Sequence, residues 1–192
     1  GILNHLQKNK DGCVCEIGVA HGKSAIMISA FRNGEKFYLY DIFDEEARNM
    51  AEKNIYKYGN ARDLVWKLQD TTDLTFDDLD YENIKLLHID GCHEHPAVVN
   101  DLVLFSNKMT DDGIIVVDDY NDYEYPGVNA GTVEFMLSKA NYKNWRVFAI
   151  GDNKAYLCQR KYHKQYQEEL IEYIEHAKEN YNIPLDVRYG LR

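Results

Sequence analysis

The chain of 192 residues is short of several things. It has four cysteines, Cys13, Cys15, Cys92 and Cys158, in no paired spacing that would frame a disulfide-stapled fold, so a reduced, cytoplasmic setting is expected. Cys13 and Cys15 are one residue apart inside a strand-like run, which is not the spacing of a structural zinc site. No apolar run reaches the roughly 18 residues that a membrane span needs. The first residues, "GILNHLQKNKDG", resemble neither a signal nor a transit peptide. Basic charge is also scarce: 22 Lys and Arg stand against 32 Asp and Glu, a net charge of −10. Phosphate backbones repel such a surface, which disfavours nucleic acid as a partner. Internal repeats, low-complexity tracts and linkers are missing too. One domain over residues 1–192 is expected, able to bury a sizeable core, and it can be a piece excised from a longer, multidomain chain.

What is present alternates. "CVCEIGVAHGKSAIMISAFRNG" reads as strand, glycine turn and helix, with Ile26, Ile28 and Phe31 on the helix and Gly34 as its stop. "KFYLYDIFD" is a second strand, followed by a polar helix over Glu45 to Tyr58. "DLVWKLQD" and "IKLLHID" are the third and fourth strands. Val98, Leu102, Phe105 and Met109 recur at helical spacing from Ala97 to Met109. "TDDG" reads as a turn, and "IIVVDD" as a fifth strand, apolar throughout as a strand buried on both faces must be. A helix follows over Val128 to Ala140. Two strands then flank "GDN" in "WRVFAIGDNKAYLCQRK", a hairpin signal, and a charged helix closes the pattern over Lys164 to Asn180. Alternating strands and helices predict a doubly wound, Rossmann-like α/β fold, and the terminal hairpin makes its sheet mixed. Ligands of such folds sit beyond the carboxyl ends of the strands.

Those ends carry the unusual residues. "EIGVAHG", Glu16 to Gly22, has the spacing Glu-x-Gly-x-x-x-Gly. Ala20 stands where a dinucleotide fingerprint needs its second glycine beside a pyrophosphate, so a nucleotide without a pyrophosphate fits better. Asp41 ends the second strand, where a carboxylate can accept bonds from ribose hydroxyls; alone, it could equally cap a helix. Asp70 ends the third strand, within reach of an adenine amino group. Strand four ends in "HIDGCHEHP" and strand five in "VVDDYNDYEYPG". Neighbouring strands would bring Asp90, Asp118 and Asp119 together. Three converging carboxylates repel one another, and a divalent cation relieves that cost. Oxygen ligands suit Mg²⁺, Mn²⁺ or Ca²⁺. His93 lies on the adjoining loop, where an imidazole can take a proton from a metal-bound hydroxyl; His95 is a rival. His88, inside the strand, reads as core, and Asp101 as a structural residue holding its helix to the loop. Tyr120, Tyr123 and Tyr125 offer an aromatic wall for an acceptor.

In "CEIGVAHGKSA", "YLYDIFD", "LLHIDGCHEHPAVVNDL" and "DDGIIVVDDY…PGV" the chain resembles the class I S-adenosylmethionine (SAM) methyltransferases, and within them the macrocin O-methyltransferase-like, metal-dependent sugar methyltransferases. The likeness runs from Cys13 to about Arg160. It implies a seven-stranded sheet closed by the hairpin, SAM contacts at Glu16, Gly18, Gly22, Ser24, Asp41 and Asp70, and metal ligands at Asp90, Asp118 and Asp119 completed by vicinal sugar hydroxyls. It places an Asp or His base on the loop after strand four. Some members have Asp where this chain has Cys92, and others a His at the position of His93. The expected activity is SAM- and Mg²⁺-dependent O-methylation of a sugar, a glycosylated small molecule or a polysaccharide precursor, by a homo-oligomer or as part of a larger multidomain chain. The alternatives are a catechol-type O-methyltransferase with the same cofactor and ion, and a SAM-fold binding module without catalysis. An NAD-binding domain is disfavoured by the missing glycine.

Overall fold

The computed structural model describes residue 6 and residues 10–30, 32–42, 44–81 and 83–181. Phe31, expected on the first helix, lies outside the described residues. The strands are β1 (Cys13–Ile17), β2 (Phe37–Asp41), β3 (Leu64–Leu68), β4 (Ile84–Ile89), β5 (Met109–Val117), β6 (Trp145–Gly151) and β7 (Lys154–Gln159). The helices are α1 (Lys23–Ser29), α2 (Glu45–Tyr58), α3 (His95–Ser106), α4 (Pro126–Leu137) and α5 (His163–Tyr181). The seven strands form one sheet in the order β3-β2-β1-β4-β5-β7-β6. The first five are parallel, and β7 runs antiparallel to both β5 and β6. This is the expected doubly wound sheet with its terminal hairpin.

Two apolar layers sandwich the sheet. On one face Val98, Leu102 and Phe105 of α3 and Phe135 of α4 pack on Ile17, Tyr40, Leu87 and Ile115. On the other, Ala25 and Ile28 of α1, Ala51 and Ile55 of α2 and Tyr166 of α5 pack on Val14, Leu39, Leu86 and Val116. Every residue of β4 is buried, as a strand covered on both faces requires.

Element boundaries moved where a cap or a register decided them. Helix α3 starts at His95, with Pro96 in its first turn, and α4 starts at Pro126, two residues before the expected Val128. A proline in the first helical turn loses no hydrogen bond, so both helices take it in. "TDDG" is not a free turn. Met109 pairs with Ile84, and the register then jumps to Leu86 against Ile114, so the polar residues bulge within the strand.

The carboxyl ends of the central strands are stitched together. Gly18 donates its amide to Tyr40 at 2.9 Å, Asp90 to Ile17 at 2.8 Å and Asp118 to Ile89 at 2.9 Å. Each first residue beyond a strand is thus held by the end of the neighbouring strand, which fixes the Asp90 and Asp118 backbones side by side. Among the described residues no helix is long and apolar enough to cross a membrane.

Candidate active site at the carboxyl ends of the strands

The loop after β1 is held from within the protein. Gly18 has φ +80°, and a Cβ there would lie 1.9 Å from the Asp90 carbonyl oxygen. Its missing side chain therefore admits the Asp90 backbone, whatever else the turn binds. One carboxylate oxygen of Asp41 accepts the Val19 amide at 2.7 Å and the Ala20 amide at 2.8 Å. Gly22, also at positive φ, starts α1 without a side-chain cap. Asp70 caps the short 3-10 turn Thr71–Asp73, accepting from the Thr72 amide at 2.9 Å and hydroxyl at 2.7 Å; these bonds hold its carboxyl below the usual range. Ser24 borders a cavity of about 800 Å³ that also touches Ala20, Asp90, Asp118, Asp119 and Lys154. Asp41 and Asp70 lie outside that cavity.

At the other side of the cavity the groups are buried and charged. Glu16 and His88 are cross-strand partners, and the same row continues to Val116. Side chains two apart on a strand share a face, so His88 and Asp90 point the same way, as do Val116 and Asp118. The Glu16 carboxylate is wholly buried and meets His88 Nδ1 at 2.9 Å. Its second oxygen, Oε2, is buried without a partner. His88 Nε2 lies 3.4 Å from Asp118 Oδ2, and Lys154 Nζ pairs with that same oxygen. Four strands, in the order β1, β4, β5, β7, thus contribute one line of alternating charge.

The titrations follow from these contacts. Burial would depress His88, but the Asp118 and Glu16 carboxylates reverse this and carry it up to about 9. Burial would raise Asp118, but His88 and Lys154 outweigh it and hold the acid well below the usual range. Asp90 has burial and the charge of Asp118 acting together, and is pushed up to about 6. Reading His88 as core was correct about its burial and missed its ionic partners. The signal was available: a histidine two residues before Asp90 in a strand must share its face.

A second knot lies toward solvent. His93 Nε2 is 3.2 Å from Asp119 Oδ2 and 3.7 Å from Asp90 Oδ1. Neither approach is aligned as a hydrogen bond, so Nε2 is enclosed without a partner. The ring packs on Tyr125, with centroids 4.1 Å apart. Helix α4 fixes this loop: a Cβ on Gly127 would lie 2.5 Å from the His93 carbonyl oxygen. Asp119 has φ +54°, a left-handed conformation that an aspartate tolerates at some cost. Its amide donates to Asp118 Oδ1 at 2.9 Å and its Oδ1 accepts from Asn153 Nδ2 at 2.7 Å. His95 turns away to Glu134, at 2.8 Å. Tyr123 is 88% exposed, so of the three tyrosines it has the least protein around it.

The three acids do not form one carboxylate triad. Among the described residues, atoms able to hold a cation within 4.8 Å of one another fall into two groups, His88 with Asp90 and Asp118, and Asp90 with His93 and Asp119. Asp90 is common to both, and each group contains a histidine. The donor set, carboxylate oxygens with imidazole nitrogens, suits a divalent ion. The unpartnered His93 Nε2 and the raised Asp90 are what an added cation or a polar ligand would satisfy. Asn153 and Lys154, at the turn and start of the β6–β7 hairpin's second strand, went unnoticed in the sequence because nothing local marks a hairpin as part of a site on other strands.

The chain is similar to several known proteins. Over 114 residues, 57% of its length, it is 34% identical to "Uncharacterized protein R132" of Acanthamoeba polyphaga mimivirus, and the matched region is 46% of that protein. The chain therefore spans about half the length of this curated relative. Among solved structures, the O-methyltransferase NovP superposes with a TM-score of 0.65 at 15% identity, covering 82% of this chain and 76% of NovP. CalS11, a TDP-rhamnose 3'-O-methyltransferase of calicheamicin biosynthesis, gives 0.62 at 15% identity, covering 83% and 76%. TomG of Streptomyces achromogenes, an O-methyltransferase solved with SAM, gives 0.63 at 16% identity, covering 81% and 77%. These likenesses establish the class I methyltransferase fold. Residues 15–120, more than half of the chain, match the family model of a methyltransferase domain, and the chain belongs to that methyltransferase domain family.

Proposed function

We propose that this protein is a SAM-dependent, divalent-metal-assisted O-methyltransferase acting on a sugar hydroxyl of a small molecule or glycan precursor. The observation that carries the reading is the knot of Asp90, Asp119 and His93, with His93 Nε2 3.2 Å from Asp119 and 3.7 Å from Asp90, beside a cavity of about 800 Å³ in a methyltransferase domain. NovP is an O-methyltransferase and CalS11 acts on TDP-rhamnose, which supports an O-linked and sugar-like acceptor.

In this reading Gly18, Gly22, Ser24, Asp41 and Asp70 form the SAM side, while Glu16, expected there too, is wholly buried against His88 and serves the charged row instead. Gly18, Gly22 and Asp41 do so by shaping the loop, and Ser24 by bordering the cavity. SAM supplies a methyl group on a sulfonium. Asp90, common to both groups, would hold a Mg²⁺-type ion with Asp119 as the side chains stand, and with Asp118 as well once that acid's side chain is freed to turn; the ion would supply Lewis acidity toward a sugar hydroxyl. His93 accepts the hydroxyl proton at Nε2, and Asp119 steadies the imidazolium that results. Tyr125 keeps the ring in place and lends a flat face to the acceptor side.

The test is calorimetry with S-adenosylhomocysteine, followed by methyl-transfer assays on nucleotide-activated sugars and on catechols, with and without chelator. Cofactor binding that survives chelation, with sugar methylation that does not, is the expected result. Methylation of catechols alone would turn the reading to the catechol type. No binding of S-adenosylhomocysteine, or activity indifferent to chelator, would end it.

A further inference from the structure

Asp118 is the most heavily engaged of the three acids. Its Oδ1 accepts the Asp119 amide at 2.9 Å. Its Oδ2 meets both Lys154 Nζ and, at 3.4 Å, His88 Nε2. Asp119 differs, because its Oδ2 faces His93 without an aligned bond. Oδ1 keeps an acceptor position open, but a divalent ion can use Oδ2, the oxygen that faces the other groups, only if one of its two partners leaves. The Asp119 amide is fixed by the chain, and His88 is buried and bonded on its other side to Glu16 at 2.9 Å. The Lys154 side chain is 30% exposed against 10% for Asp118, and it borders the open cavity. A long, flexible stem lets its ammonium reach water at small cost.

We infer that Lys154 is a tethered cation that occupies Asp118 in place of the divalent ion and gives way when the ion binds. The inference rests on the metal reading above and adds to it a residue that sets how tightly the ion is held. A unit positive charge in contact with a ligand carboxylate opposes a second cation there, by repulsion and by occupying the oxygen. Lys154 thereby keeps the acid cluster compensated while it holds no ion, and once displaced it faces the cavity as a free ammonium.

The experiment titrates Mn²⁺ alone into the full chain and reads free Mn²⁺ by electron paramagnetic resonance. Wild type is compared with Lys154→Met, Lys154→Arg and Asp119→Asn. Lys154→Met should bind Mn²⁺ at least about tenfold more tightly, because one contacting charge is gone. Lys154→Arg keeps the charge and should stay within a few-fold of wild type. In parallel, Mg²⁺ should speed amine-reactive labelling of wild-type Lys154, read by mass spectrometry. Melting curves check the fold, and Lys154→Gln replaces the methionine variant if that one does not fold. Equal or weaker Mn²⁺ binding in Lys154→Met, with binding lost in Asp119→Asn, would overturn the role of Lys154 and leave the metal site standing. No Mn²⁺ binding by any variant would overturn both.

Discussion

The two sides of the site use carboxylates in opposite ways. On the glycine-turn side, Asp41 and Asp70 spend their oxygens on nearby backbone amides, and both are open to solvent in part or in full. On the β4–β5 side, Glu16, His88, Asp90 and Asp118 are stacked across strands, with an unpartnered Oε2 on Glu16, an unpartnered Nε2 on His93 and shifted acids. A satisfied carboxylate shapes a loop and needs no ligand. An enclosed, incompletely paired cluster is costly and is kept where something binds or reacts. The support for SAM therefore comes from the family, and the support for a cation and a base comes from the geometry itself.

Gly18 is where the two sides touch, and breaking it should have the largest effect. In Gly18→Val, branched carbons would fill the space 1.9 Å from the Asp90 carbonyl, at a φ of +80° that valine avoids. Strain of this kind belongs to the severe class, above about 4 kcal/mol. The expected outcome is a chain that does not fold stably or has lost both cofactor and metal binding, read by thermal melting and calorimetry. A well-folded variant that lost only S-adenosylhomocysteine binding would mean the glycine serves the cofactor and not the Asp90 backbone.

His93 comes next, and it probes one side alone. Removing a general base typically lowers rate by about 10²–10⁴-fold. His93→Ala should lose kcat on that order while leaving the melting temperature and S-adenosylhomocysteine affinity near those of wild type. High pH should recover part of the rate. Near-normal kcat at pH 7 would move the base to another group, and His95, held by Glu134 at 2.8 Å, would then need the same substitution.

Much of this was legible in the chain. The succession of strands and helices, the hairpin and the strand-end acids follow from apolar runs that each stop at glycine or aspartate, because a doubly wound sheet puts those stops at one edge; the lateral order of the strands does not. The missed pieces are contacts made across the sheet. Glu16 and His88 are 72 residues apart and meet only through the β1–β4 register. Lys154 and Asn153 reach Asp118 and Asp119 because β7 folds back antiparallel beside β5. Periodicity shows which face a residue takes, and only pairing shows what it faces. "TDDG" misled for a related reason: its turn chemistry is real, but a register jump takes it up inside β5.

Asp101 is the mildest probe, and it sits beneath both sides at once. The residue is 1% exposed, with its carboxylate Oδ1 unpartnered. It faces Thr71 next to Asp70 on the glycine-turn side, and a Cβ on Gly91, next to Asp90, would lie 3.7 Å from its Oδ2. Burial pushes it up to about 7, Asp70 adds repulsion, and only the bond with Thr71 works the other way. A carboxyl raised in the folded state binds its proton more tightly there than in the unfolded chain. Its contribution to stability is thus complete below the unfolded value near 4, and it is lost as pH rises to about 7, remaining lost above that. An asparagine side chain at this position would keep the shape and bond Thr71 without ever ionising. Asp101→Asn should therefore melt close to wild type at pH 4 and higher than wild type at pH 8, by an amount on the order of a few kcal/mol at most. Parallel melting curves from pH 4 to pH 8 would show that Asp101 does not titrate in this window. A variant that also weakened S-adenosylhomocysteine binding without changing Mn²⁺ affinity would assign Asp101 to the Asp70 loop alone, and so separate the two sides that this buried acid is placed to join.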